Sequence, residues 1–224
     1  MDINYIKTVF EAHRNVSEAQ KMKKYMRDQF EYIGIKSPVR GELKAEILLD
    51  KELKNLTAEE LIPLVYELWK QEYREYHYLA MELLDRKIKN AKPDMVEHLQ
   101  FLIVTKPWWD TVDFISSHLV GTLFRKQPDL VKEIIPKWMK SENMWLQRTV
   151  LLYQLKYRKY LDERILFDAI LKLNGSKEFF IQKAIGWSLR EYGKTNPEGV
   201  VEFIARTQLA PLSKREALRR IIKK

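Results

Sequence analysis

Asp113 follows Trp109 by four residues in the run Thr105-Lys106-Pro107-Trp108-Trp109-Asp110-Thr111-Val112-Asp113, so a helix there puts an indole and a carboxylate on one face. Two later segments offer related groups: Trp145 with Arg148, and Phe180 with Lys183 and Trp187, the last two again four residues apart. This set has a definite chemical competence. An indole face attracts a cationic or electron-poor group by roughly 0.5–2 kcal/mol. A carboxylate stabilises positive charge developing on carbon and orients an attacking water. Arginine and lysine side chains hold phosphates.

The third residues after the leading aromatic or apolar position are Val112, Arg148, Lys183 and Arg215, and in a repeating fold they face the same way. Three cations in such a column suit a phosphate backbone. Each set also has an ordinary reading. The cations can be first-turn residues on a wet helix edge. Asp113 can be the structural ion-pair partner of Arg148. Asp110 is better placed than Asp113 to favour the helix N-terminal dipole, and Asp113 is the only acid in the column region of the central repeat. Large aromatics normally fill seams between helices. Trp69, Trp108 and Trp138 fall near helix junctions and read as core, whereas Trp109 and Trp187 each share a face with a charged residue that is costly to bury unpaired.

Other constellations carry little. His13, His77, His98 and His118 lack zinc-ligand spacing and read as surface or packing residues. No phosphate loop, GxSxG elbow or Ser-His-Asp order is present. Lys106 lies near Trp109, but a solvated turn lysine is a better reading than a Schiff-base amine.

The elements that must position these residues are helices. Apolar residues recur at helical spacing through Ile6, Val9 and Phe10, then Met22, Tyr25, Met26 and Phe30, with Gly34 as a helix stop. Ser37-Pro38 opens a helix through Leu43 and Ile47, and Thr57-Ala58-Glu59-Glu60 is a capping box. Thr105 is placed to cap the central helix, with Pro107 in its first turn and Phe114, Ile115 and Leu119 along it. Helix starts recur at Tyr73, Trp109, Trp145, Phe180 and Leu212, at intervals of 36, 36, 35 and 32 residues, each preceded by another helix. That period predicts an all-α, HEAT-like repeat α-solenoid of helical pairs, one layer of which lines a basic concave groove. No linker splits the chain, so residues 1–224 read as a single domain.

Charge is unevenly placed. The net is +9, but residues 1–100 carry 17 Lys/Arg against 18 Asp/Glu, while residues 101–224 carry 23 against 13. The half that holds the aromatics is therefore the half suited to an anionic partner, with nucleic acid ahead of an acidic membrane. The absence of cysteine excludes disulfides and thiolate metal sites and fits a reducing cytoplasm. No secretory leader is evident after Met1-Asp2-Ile3-Asn4, and no run of about 18 apolar residues marks a membrane span.

The runs IVTKPWWDTVD (103–113), IPKWMKSENMWLQR (135–148), SKEFFIQKAIGWSLREYGKTNP (176–197) and LAPLSKREA (209–217), with KYMRDQFEYIGIKSP (24–38) near the start, resemble the HEAT-like-repeat alkylpurine DNA glycosylases over essentially the whole chain. The resemblance implies hydrolytic release of N3- or N7-alkylated purines from duplex DNA without a cofactor. It implies Asp113 as catalytic carboxylate, Trp109 and Trp187 as flanking indoles, and Arg148 as a DNA-backbone contact. Tyr25 and Arg190 match family positions near the DNA. Lys183 and Arg215 join the DNA-binding set from the cation column. The expectation is a cytoplasmic monomer acting on alkylated duplex DNA with the lesion still stacked. The alternatives are a non-catalytic DNA-binding scaffold and a HEAT scaffold that takes an acidic peptide.

Overall fold

The computed structural model describes residues 2–219, and among them helices carry nearly all the regular structure; one isolated bridge pairs Glu31 with Tyr73. The expected basic face of the last helix runs on to Lys224, but Arg220 to Lys224 lie outside the described residues. The chain forms two compact units, Met1–Met95 and Val96–Lys224.

The first unit contains α1 (Ile3–Glu11), α2 (Val16–Tyr25), α3 (Ser37–Ile47), α4 (Lys51–Asn55), α5 (Ala58–Lys70) and α6 (Arg74–Asp85). The capping box forms as expected: the Thr57 hydroxyl accepts from the Glu60 amide at 3.2 Å, and Glu60 accepts from the Thr57 amide at 2.8 Å. Its core is built by Ile6, Phe10, Val65, Leu68, Trp69 and Leu79, all at most 1% exposed. Gly34 does not stop a helix, since α2 ends at Tyr25. It sits in the extended link to α3 with φ +98°, where the carboxylate of the fully buried Glu75 accepts from the amides of Ile33, Gly34 and Ile35 at 2.8–3.1 Å. A Cβ at Gly34 would lie 2.0 Å from the Asn15 carbonyl oxygen. Close backbone approach, not helix termination, requires the glycine.

The second unit contains α7 (Met95–Val104), α8 (Trp109–Phe114), α9 (Gly121–Lys126), α10 (Asp129–Lys140), α11 (Met144–Leu152), α12 (Glu163–Leu173), α13 (Phe179–Tyr192), α14 (Pro197–Arg206) and α15 (Pro211–Leu218). The expected period holds. Helices begin at or within two residues of Tyr73, Trp109, Trp145, Phe180 and Leu212, and each follows a partner helix, so the fold is an α-solenoid of helical pairs. Within this unit α8, α11, α13 and α15 pack in succession, which makes their solvent faces neighbours.

Helix α8 starts differently from expectation. Thr105 is not its cap: the N-cap is Trp108, without a side-chain cap bond, after a turn in which Lys106 takes φ +50°. A π-turn at Ile115–Val120 joins α8 to α9, so Trp109 to Lys126 is one unbroken rod. Gly186 marks the closest helix contact. A Cβ there would meet the Ser213 carbonyl oxygen at 2.8 Å and the Glu216 Cβ at 2.5 Å, so glycine lets α13 and α15 approach.

Candidate active site

The four successive helices of the second unit bring Trp109 and Asp113 (α8), Arg148 (α11), Phe179, Phe180, Lys183, Trp187 and Arg190 (α13), and Glu216 (α15) to one open cleft of about 330 Å³, with Arg219 at its edge. The expected acid and both expected indoles therefore meet. Phe179, 49% exposed, stands on the rim. Behind Phe180 lies an aromatic layer: the Trp108 and Trp145 rings are each 5.1 Å from it, centroid to centroid. Trp108 is partly exposed, not fully in the core as expected, and its buried Nε1 has no hydrogen-bond partner; Trp69 and Trp138 are core, each 1% exposed.

The acid is not bare to solvent. Arg148 donates from Nε to Asp113 Oδ1 at 2.7 Å and from Nη2 to Oδ2 at 2.8 Å, and its Nη1 donates to the Phe180 carbonyl. The two side chains are 5% and 15% exposed. This fork-to-fork geometry is the strongest form of the ion pair and fixes the plane of the carboxylate. Burial pushes the Asp113 carboxyl above the ordinary carboxylate range; the Arg148 charge opposes that, and the nearby Asp110 adds to it. Asp113 remains anchored to its own helix, where its carbonyl accepts from the Ser117 hydroxyl at 2.8 Å.

The column of free cations is not what forms. Val112 is fully buried, Arg148 is 4% exposed and engaged with Asp113, and Lys183 pairs with Glu216 at 3.0 Å. Arg190 donates to the other oxygen of the same carboxylate at 2.7 Å. Of the column's three cations, only Arg215, on α15, stands exposed. The physical reason is desolvation: three cations close together in a part-buried cleft need carboxylates to offset their charge. Asp113 is the only acid that the sequence offers in the column region of the central repeat; Glu216 comes from the last repeat and is not among the expected site residues. The one signal for it was Gly186, a mid-helix glycine that demands a close neighbour. The Lys183 and Arg190 bonds hold the Glu216 carboxyl below its ordinary range, the Lys183 bond contributing most, against the effect of burial. Tyr25 belongs to the first unit, at the end of α2, and is 70% exposed.

Paired helices of an α-solenoid thus gather two carboxylates, two indoles and four cations around one open cleft. The chain belongs to the DNA alkylation repair enzyme family, whose profile matches residues 6–221. A solved structure of a predicted DNA alkylation repair enzyme from Enterococcus faecalis is similar to it, with 33% identity and a TM-score of 0.87 over 94% of this chain and 98% of that one. No curated protein matches. The protein's role is thus in the repair of alkylation damage, with DNA as its substrate. No helix among the described residues is long and apolar enough to cross a membrane.

Proposed function

We propose that the protein is a monofunctional DNA glycosylase that hydrolyses the N-glycosidic bond of cationic N3- and N7-alkylpurines, such as 3-methyladenine and 7-methylguanine, in duplex DNA. The observation that carries this reading is the meeting of Asp113, Trp109 and Trp187 in one open cleft. An alkylated purine is positively charged and leaves with the bonding electron pair, which neutralises it. The sugar then bears oxocarbenium character at C1′. The Asp113 carboxylate, held in plane by Arg148, stabilises that charge and accepts a proton from the water that adds to C1′. The two indole faces favour the cationic state of the lesion over a neutral base. No metal is needed to activate so good a leaving group.

The openness of the cleft favours action on a base that stays in the stack, because Phe179 and Arg219 stand at an exposed rim where a duplex can lie. Phosphate binding in the second unit falls to Arg190, Lys183, Arg215 and Arg148, and Tyr25, on the first unit, is assigned a DNA contact of its own. Because Arg148 and Lys183 are already paired with carboxylates, engagement of phosphate by either exchanges one ion pair for another.

Asp113→Asn tests the reading. It retains duplex binding and loses most release of 7-methylguanine, about 100-fold or more, the magnitude of losing one electrostatic stabiliser at a reacting centre. Free base is measured by chromatography after incubation with methylated DNA. Unchanged release removes Asp113 from the mechanism. The bidentate pairing of Asp113 favours one other reading, a non-catalytic DNA-binding scaffold in which the pair is purely structural. Absence of base release by the parent protein decides for that.

A further inference from the structure

The rod from Trp109 to Lys126 carries its exposed and half-exposed residues along one side: Trp109, Asp110, Asp113, Phe114, Ser117, His118, Thr122 and then Arg125 and Lys126. The face that bears the acid therefore continues to a second group of side chains at the far end. There, Arg125 lies over the Tyr160 ring at 4.8 Å and Lys159 over the same ring at 5.2 Å, while Tyr160 itself is 61% exposed. Arg125 is also 5.9 Å from the Tyr157 ring. Between the two groups, Lys156 approaches His118 Nδ1 at 3.1 Å, and His118 stacks on Phe114 at 4.1 Å.

This patch differs electrostatically from the cleft. In the cleft, Arg148, Lys183 and Arg190 are all bound to carboxylates. At the far end of the rod, none of Arg125, Lys126, Lys156 or Lys159 has a carboxylate partner among the described residues. Two cations held against one exposed ring, with no neutralising acid, offer fixed positive charge to a ligand that brings its own negative charge.

We propose that Arg125, Lys159 and Tyr160 form a second DNA-backbone site, which grips phosphates of the duplex beyond the lesion. Arg125 follows Asp113 by twelve residues, about 18 Å at a rise of about 1.5 Å per residue. That matches a phosphate about five base steps away at about 3.4 Å per step. In the cleft Arg148, Lys183 and Arg190 already face carboxylates, and this patch supplies attraction that is independent of sequence and damage. The site rests on DNA being the substrate of the cleft, as proposed above.

The test is the double substitution Arg125→Gln with Lys159→Gln in the full chain. Binding of unmodified duplexes of about 8, 12 and 16 base pairs is measured at several salt concentrations, and release of 7-methylguanine is followed alongside. Loss of two phosphate contacts lowers the log Kd against log salt slope by about 1.8. It weakens binding to the longer duplexes several-fold while leaving the shortest little affected. A slope and length dependence equal to the parent's overturn the patch. Failure of the parent itself to release base, with duplex binding intact, overturns the glycosylase reading and leaves the patch standing.

Discussion

Arg148→Met isolates the buried pair on which the geometry of the site depends. The substitution keeps the length of the side chain and removes its charge. It leaves the Asp113 carboxylate, 15% exposed, without the two bonds of 2.7 and 2.8 Å that it accepts, and leaves the Phe180 carbonyl without its donor. Removing one member of a buried pair costs about 3–5 kcal/mol, because the remaining charge is desolvated and uncompensated. Asp113 escapes part of this by taking up a proton, and the sign of the pH dependence follows. Burial already raises the Asp113 carboxyl in the parent, with Arg148 opposing; without Arg148 it rises further. A carboxyl raised in the folded state contributes stability that is complete below its unfolded range and is lost as pH rises through the folded value. The deficit of Arg148→Met relative to the parent is therefore larger at pH 8 than at pH 5. Denaturant unfolding at the two values, with Asp113→Asn and the double variant closing a mutant cycle, measures it. The same shift moves the acid limb of 7-methylguanine release to higher pH, since release requires the ionised carboxylate. A variant as stable as the parent at pH 8, or a deficit that grows toward acid, refutes the account of the pair.

Glu216→Gln removes the carboxylate shared by Lys183 and Arg190, so duplex binding tightens and its salt slope steepens; a titration with unmodified duplex checks this, and weaker binding contradicts it. In the parent, the lowered Glu216 carboxyl contributes stability that is present above its unfolded range near 4.5 and drains away as pH falls through the folded value. Gly34→Ala forces a left-handed backbone on alanine and drives a methyl group to 2.0 Å from the Asn15 carbonyl oxygen. It destabilises the first unit by about 3 kcal/mol or more, measured by unfolding, and a change under about 0.5 kcal/mol rules out the close packing.

The period of helix starts and the face shared by Trp109 and Asp113 were legible because both are local: helical spacing and capping follow from neighbours along the chain. Thr57 and Glu60 capped their helix as read. Thr105 failed as a cap because the chain turns at Lys106 and the helix begins only after Trp108, a choice made by packing of the Trp108 ring against Trp145 and Phe180.

The amino-acid order alone determined that an acid, two indoles and several cations lie at related positions on paired helices, and that the excess positive charge falls in the later half. Which charges remain available was decided only when the helices stacked. Arg148 meets Asp113 across thirty-five residues, and Glu216 meets Lys183 and Arg190 across the gap that Gly186 closes, while Arg125 and Lys159 meet no acid among the described residues. Periodicity places a side chain on a face; the cost of burying its charge, set by the neighbouring helix, decides what it pairs with.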